Sequence, residues 1–163
     1  HGLMQRQHIA RDEAEQLIEN YFAAYPGVNK WKKKIIKDAS SNGFVETLLG
    51  RRRYIPNITS QNKNLQLAAE RIAINMPVQG TAADIIKQAM NDIDKELTSL
   101  QEEGLRSTML LQIHDELIFD VPEKEIDVIT NLAERLMPSM ILDVPLIIER
   151  KYGKSWGEMK ADA

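Results

Sequence analysis

Thr108-Met109-Leu110-Leu111-Gln112-Ile113-His114-Asp115-Glu116-Leu117-Ile118-Phe119-Asp120-Val121-Pro122 is the stretch on which the fold turns. Two short apolar runs, Met109–Ile113 and Leu117–Val121, flank three polar residues. Runs of this length, the second closed by a proline, predict two buried strands joined by a tight turn. The local expectation is an antiparallel hairpin with His114, Asp115 and Glu116 at its tip. Adjacent carboxylates between two core strands repel each other, and beside a low-dielectric core they favour a cation. Taken alone the triplet reads first as a solvated polar turn, and second as a metal ligand held on a rigid hairpin.

The surrounding chain narrows that choice. Its 163 residues are enough for one domain with a real core, and 43% hydrophobic with 28% charged residues argues against disorder. No apolar run approaches the roughly 18 residues needed to cross a bilayer, and no signal-peptide pattern opens the chain. Cysteine is absent, which excludes disulfides and thiolate metal sites and permits a reducing cytosol. The chain starts at His1 without an initiator Met, as expected of a piece of something longer.

The net charge of −3 conceals a polarity. Residues 30–53 carry five Lys and three Arg against Asp38 and Glu46, whereas residues 92–134 carry twelve acids against Lys95, Arg106 and Lys124. A basic arm beside an acidic region suits a polyanion whose reactive end needs divalent cations. Two unrelated solvated surfaces would give the same pattern.

In chain order, residues 12–25 place Ala14, Leu17, Ile18, Tyr21, Phe22 and Tyr25 at helical spacing, with Asp12 and Glu13 in the first turn. Pro26-Gly27 breaks that helix. A second follows with Val28, Trp31, Ile35 and Ala39 inward, and Asn42-Gly43 ends it through a left-handed cap. Phe44–Leu49 reads as a strand, Gly50-Arg51 as a turn, and Arg52–Ile55 as the return, stopped by Pro56. Arg51, Arg52 and Arg53 are candidates for gripping phosphates, although arginines on a hairpin rim also serve solubility.

From Leu65 to Leu100 apolar residues at 65, 68, 72, 76, 83, 86, 90, 93, 97 and 100 predict one helical run, kinked between Pro77 and Gly80. Thr81-Ala82-Ala83-Asp84 resembles a capping box and would suit two helices instead. Arg71, Asn75 and Gln79 lie four apart on a side away from the apolar stripe. They form either a solvated face or a row of donors able to reach base edges or phosphates. Beyond the hairpin, Glu123–Met140 predicts a third amphipathic helix, Val144–Arg150 a final strand, and Trp156 an anchor for the tail. Gly153-Lys154-Ser155 mimics the end of a phosphate loop, but Ile148 stands where that motif needs Gly. No dinucleotide fingerprint, zinc-binding His pair or nucleophile elbow occurs.

Three ordered stretches together resemble bacterial-type family A DNA polymerases of the polymerase I class. Gly43-Phe44-Val45-Glu46-Thr47-Leu48-Leu49-Gly50-Arg51-Arg52-Arg53-Tyr54-Ile55-Pro56 resembles the fingers hairpin of that family. Ala69 to Asp84, Ala-Glu-Arg-Ile-Ala-Ile-Asn-Met-Pro-Val-Gln-Gly-Thr-Ala-Ala-Asp, is similar to its helix pair that crosses the DNA minor groove. Leu111-Gln112-Ile113-His114-Asp115-Glu116 is similar to its motif C, the palm hairpin bearing a catalytic carboxylate.

The resemblance implies that Asp115 ligates the two catalytic Mg²⁺ ions, that Glu116 supports the site, and that His114 lies near the primer terminus. It also implies that Arg71, Asn75 and Gln79 face the minor groove of the template–primer. The minor groove offers nearly degenerate acceptors, so donors there test duplex shape without reading sequence, which suits a copying enzyme. The implied reaction is nucleotidyl transfer from a dNTP to a primer 3′-hydroxyl, with two metals activating the hydroxyl and stabilising the leaving pyrophosphate.

Departures matter too. Nothing here matches the Asp-Tyr-Ser-Gln-Ile-Glu-like strand of motif A, or the helix that holds the incoming nucleotide. The expected piece is therefore the carboxy-terminal part of fingers and palm. Residues 1–64 would be fingers-side helices and hairpin, and 65–163 a palm segment with the minor-groove helix and motif C. The expected fold is α+β, an antiparallel palm sheet of the motif C hairpin and final strand packed on long helices. Expected partners are primer–template DNA, dNTP and an upstream polymerase segment carrying motif A, with no membrane. The expected location is a bacterial cytoplasm or an organellar or viral replication compartment. The chain alone is expected to be inactive. Two rivals remain: one half of a split polymerase, and a non-catalytic DNA-binding module that kept the fold.

Overall fold

The computed structural model describes residues 2–140 and 142–161. Helices α1 (Gly2–Gln7), α2 (Arg11–Ala24), α3 (Pro26–Asn42), α4 (Lys63–Glu102) and α5 (Ile126–Leu136) alternate with three antiparallel strand pairs. These are β1 (Phe44–Glu46) with β2 (Arg52–Tyr54), β3 (Thr108–Ile113) with β4 (Glu116–Asp120), and β5 (Lys151–Tyr152) with β6 (Lys160–Ala161). The α+β reading holds. The chain forms two compact units, divided inside α4 between Val78 and Gln79.

In the first unit, Pro26 opens α3 at its first turn, where a missing N–H costs nothing. Gly43 closes α3 in the left-handed region (φ 77°), and its N–H reaches Ala39 O at 2.8 Å. The core gathers Ala39, Val45, Ile55, Ile58, Ala69, Ala73 and Met76, with Ile35 packed against it. The buried stripe of α4 here is thus 69, 73 and 76, whereas Leu65, Ala68 and Ile72 of the predicted stripe are exposed. Small side chains at 39, 69 and 73 sit in this core beside Val45, Ile55, Ile58 and Met76, while Leu65 and Ile72 of α4 are turned outward. The predicted inward faces of α2 and α3 are also thinner than expected. Only Ala14 is buried on α2, while Leu17, Ile18, Tyr21 and Tyr25 stay about half exposed, as do Val28 and Trp31 on α3. The strand predicted over Phe44–Leu49 stops at Glu46. Thr47 N–H bonds to Arg51 O and Gly50 N–H to Thr47 O, so residues 47–51 form the turn.

Helix α4 runs unbroken through Pro77, and the Thr81–Asp84 pattern is not a cap: it lies inside the helix, with Thr81 and Asp84 buried. In the second unit Ile93, Leu97, Ile129 and Leu132 form the core, and Leu105, Met109, Leu117, Phe119, Val121, Leu136 and Met137 pack around it.

Helix α5 is shorter than predicted. A 3-10 turn, Glu123–Glu125, precedes it, and it ends at Leu136, with Met137 as a cap still in helical geometry (φ −66°, ψ −37°) just before Pro138, which has no N–H to continue the ladder. Two further expectations fail here. Val144–Arg150 is not a strand, and Val144 and Ile147 are exposed, so β3–β4 remains a two-stranded pair. Trp156, 58% exposed, sits in a 3-10 turn rather than anchoring the tail in a core. Among the described residues no helix is long and apolar enough to cross a membrane.

Candidate active site

The hairpin turns in two residues, His114 and Asp115, because Ile113 pairs directly with Glu116. Glu116 is therefore the first residue of β4 rather than part of the turn itself. His114 adopts φ 53°, a left-handed conformation in which histidine is one of the more tolerated side-chain-bearing residues. The Gln112 side-chain amide donates to the His114 carbonyl and braces the turn from the preceding strand.

A bulge at Leu110 interrupts the ladder between the Met109–Phe119 and Leu111–Ile118 pairs. Such an extra residue re-aims the side chains beyond it. Met109, Leu117 and Phe119 face the core, while Leu110 and Leu111 are 58% and 41% exposed. The strands are consequently half-buried, not buried on both faces as their apolar runs suggested.

The open end of the hairpin is fastened by a group that the sequence did not single out. Glu125, in the 3-10 turn after β4, is buried and directs one carboxylate oxygen at the residues just before β3. That oxygen accepts from Arg106 N–H (3.0 Å), Ser107 N–H (2.9 Å) and the Ser107 hydroxyl (2.8 Å). Burial alone would raise the Glu125 pKa. The Ser107 hydroxyl, the two backbone donors and the Lys124 charge outweigh it and hold the carboxyl below its ordinary value. Gln101 of α4 completes the clasp by donating to Ser107 O at 2.9 Å. The only local signal for this role was an acid three residues after Pro122, which any helix start could carry.

At the tip, Asp115 and Glu116 are both exposed. Lys151 Nζ of β5 lies 3.5 Å from Glu116 Oε1, a contact equally invisible in local spacing. The donor chemistry fits a hard divalent cation, since both groups offer carboxylate oxygens and the chain has no thiolate. The donor number does not: among the described residues no group of three His, Cys, Asp or Glu gathers to hold a metal. Two adjacent carboxylates supply part of a ligand set.

The remaining candidates fall into separate groups. Gln79 is exposed at the start of the second unit's part of α4. Arg71 and Asn75 belong to the first unit, where both are exposed and line an open groove of about 450 Å³ with Tyr21, Phe22, Trp31 and Lys32. The aromatic lining of this groove was read from the sequence as core. Arg51, Arg52 and Arg53 are all exposed on the β1–β2 hairpin. Arg52 is already engaged: its Nε donates to Glu46 at 2.6 Å, and its guanidinium lies 4.6 Å from the Phe44 ring centre.

Comparison with known proteins gives a consistent result. The family model for DNA polymerase family A matches residues 1–158. DNA polymerase I of Geobacillus stearothermophilus is 46% identical over 161 residues, covering 98% of this chain and 18% of that protein. DNA polymerase I of Pseudomonas aeruginosa is 45% identical over 161 residues, covering 96% of this chain and 17% of that protein. The chain thus spans less than a fifth of the length of these relatives. Among solved structures, the POL domain of Pol1 from M. smegmatis, in complex with DNA primer-template and dNTP, superposes with a TM-score of 0.82. It is 42% identical, and the match covers 90% of this chain and 26% of that one.

Proposed function

This chain belongs to DNA polymerase family A, and we propose that it serves template-directed DNA synthesis, in which a dNTP donates a nucleotide to a primer 3′-hydroxyl. The observation that carries the reading is the exposed Asp115-Glu116 pair, the last residue of the two-residue turn and the first of β4, displayed by a hairpin whose other end is clasped through buried Glu125. A carboxylate used in phosphoryl transfer must be open to substrate yet fixed in position, and this arrangement provides both.

Asp115 is assigned as a ligand of Mg²⁺, with Glu116 supporting it and His114 beside the primer terminus. Two such ions, when bound, polarise the attacking hydroxyl and neutralise the leaving pyrophosphate. The chain's own contribution is to hold carboxylate oxygens at the tip and to bind the duplex. Arg71, Asn75 and Gln79 are assigned to the minor groove of primer–template DNA, where donors can test pair geometry without reading sequence. Arg51 and Arg53 are assigned to phosphates, and Arg52 acts mainly within the hairpin through Glu46 and Phe44.

Residues 1–64 are assigned to the fingers side and 65–163 to the palm. The other metal-binding carboxylate and the dNTP clamp come from an upstream polymerase segment, so these 163 residues alone are inactive. The activity operates wherever DNA is replicated or repaired: a bacterial cytoplasm, or an organellar or viral replication compartment.

Primer extension with Mg²⁺ tests the assignment, using the chain with and without the upstream segment. Extension requires both, and Asp115→Asn abolishes it while primer–template affinity stays within about threefold, because a metal ligand is lost but few duplex contacts are. A single-turnover rate for Asp115→Asn close to the parent's refutes the role of Asp115. Template-directed synthesis by the chain alone refutes the incomplete site.

A further inference from the structure

We propose that Lys151 is a positioning residue for polymerisation, holding the Glu116 carboxylate toward the carboxy-terminal segment so that Asp115 is the hairpin tip's metal-facing oxygen donor. The proposal deepens the polymerase reading and rests on it.

Three consecutive residues carry the argument. Arg150 Nη1 reaches Glu134 Oε1 of α5 at 3.1 Å, and the Tyr152 hydroxyl shares a 2.8 Å hydrogen bond with Thr130 Oγ1, also on α5. Side chains alternate along an extended chain, so the residue between these two points the other way. That residue is Lys151, and its Nζ lies 3.5 Å from Glu116 Oε1.

The backbone that carries Lys151 is itself fixed. Lys151 pairs with Ala161 and Tyr152 with Lys160. Gly153 follows so close to the returning chain that a Cβ there would stand 2.7 Å from the Met159 nitrogen.

An exposed lysine–carboxylate pair ordinarily contributes little, because two long side chains must be ordered to make it. Here the lysine's backbone is already ordered by contacts on either side, which removes part of that cost. The consequence for the site is electrostatic. Asp115 and Glu116 are consecutive acids, and a cation committed to Glu116 reduces their repulsion and orients Glu116 along β4. A metal ion at the tip then meets Asp115 with its neighbour's charge already partnered.

The test uses the polymerase assembled with its upstream segment, with two readouts. In single-turnover extension, Lys151→Ala lowers the rate at saturating dNTP by about threefold, the range an exposed pair can supply, and leaves dNTP affinity unchanged. Lys151→Arg restores the rate. Adding Lys151→Ala to Glu116→Gln causes no further loss, since the lysine acts through that carboxylate.

In hydrogen exchange on the same assembly, Lys151→Ala speeds exchange of the Glu116–Phe119 amides by about threefold. Gly153→Ala, which displaces the segment without altering charge, gives the same pattern in both readouts. An active polymerase in which Lys151→Ala changes neither readout overturns the proposal alone, as does an additive loss with Glu116→Gln. An assembly whose parent form shows no extension overturns the polymerase reading and this role together, whatever the exchange data show.

Discussion

Replacing Ser107 by Ala isolates a single buried contact at the base of the candidate site. Ser107 is fully buried, and its hydroxyl donates to Glu125 Oε2 at 2.8 Å. The same residue's N–H and carbonyl are held independently, by Glu125 at 2.9 Å and by Gln101 at 2.9 Å. Alanine keeps both backbone bonds and removes only the hydroxyl.

A hydrogen bond to a charged partner contributes about 1.5–3 kcal/mol. The carboxylate oxygen retains its two backbone donors, so the lower end applies: about 1.5 kcal/mol, or a melting-temperature drop of roughly 3–6 °C for a chain of this size. The loss also depends on pH. Glu125 has its pKa depressed in the folded chain, with the Ser107 hydroxyl a leading cause. A depressed carboxylate stabilises the fold above its unfolded value, near 4.5, and that stability is lost as pH falls through the folded value. Removing the hydroxyl shrinks the depression. The gap between parent and Ser107→Ala is therefore widest near neutral pH and narrows as pH falls below the ordinary carboxyl value of 4.5.

Urea titration followed by circular dichroism at pH 7, 5 and 3 measures this directly. A gap below about 0.5 kcal/mol at pH 7, or one equally wide at all three pH values, refutes the reasoning. In the assembled polymerase the same substitution slows extension, because the clasp fixes the hairpin that displays Asp115.

Three further outcomes are expected. Asn75→Ala and Gln79→Ala weaken extension from matched termini and alter mismatch discrimination on every template alike; a strong preference for one template base, seen in steady-state kinetics, contradicts minor-groove contact. Ile93→Ala empties part of a fully buried site beside Leu97, Ile129 and Leu132, and lowers stability by about 2–5 kcal/mol in denaturant titration. A loss under 1 kcal/mol would place Ile93 outside the cooperative core. Gly43→Ala meets open space but must hold φ 77°, so it costs about 1–2 kcal/mol from backbone strain alone. A melting temperature equal to the parent's would show that the cap is not held left-handed.

Much of the molecule was determined by the sequence itself, because its signals are local. Helical spacing marked α2, α3, α4 and α5, and the left-handed cap at Gly43 and the opening at Pro26 follow from what those residues can and cannot adopt. Two apolar runs around His114-Asp115-Glu116 were enough for the hairpin and for its exposed tip.

Where long-range packing decides, the local signal misled. Val144–Arg150 is as apolar as a strand, yet it joins no strand ladder among the described residues, because a strand also needs a partner edge. On α4 Met76, Ile93 and Leu97 of the predicted stripe are buried, but Leu65, Ala68 and Ile72 gave way to Ala69 and Ala73, since which of several apolar faces is buried depends on the neighbour that packs there.

The supports of the candidate site belong to that second class. Glu125 meets Ser107 across 18 residues, and Lys151 meets Glu116 across a longer stretch that includes α5, each looking in sequence like one more solvated charge. Only the folded chain brings a charged group to its partner, and only that partner turns a surface acid into a clasp.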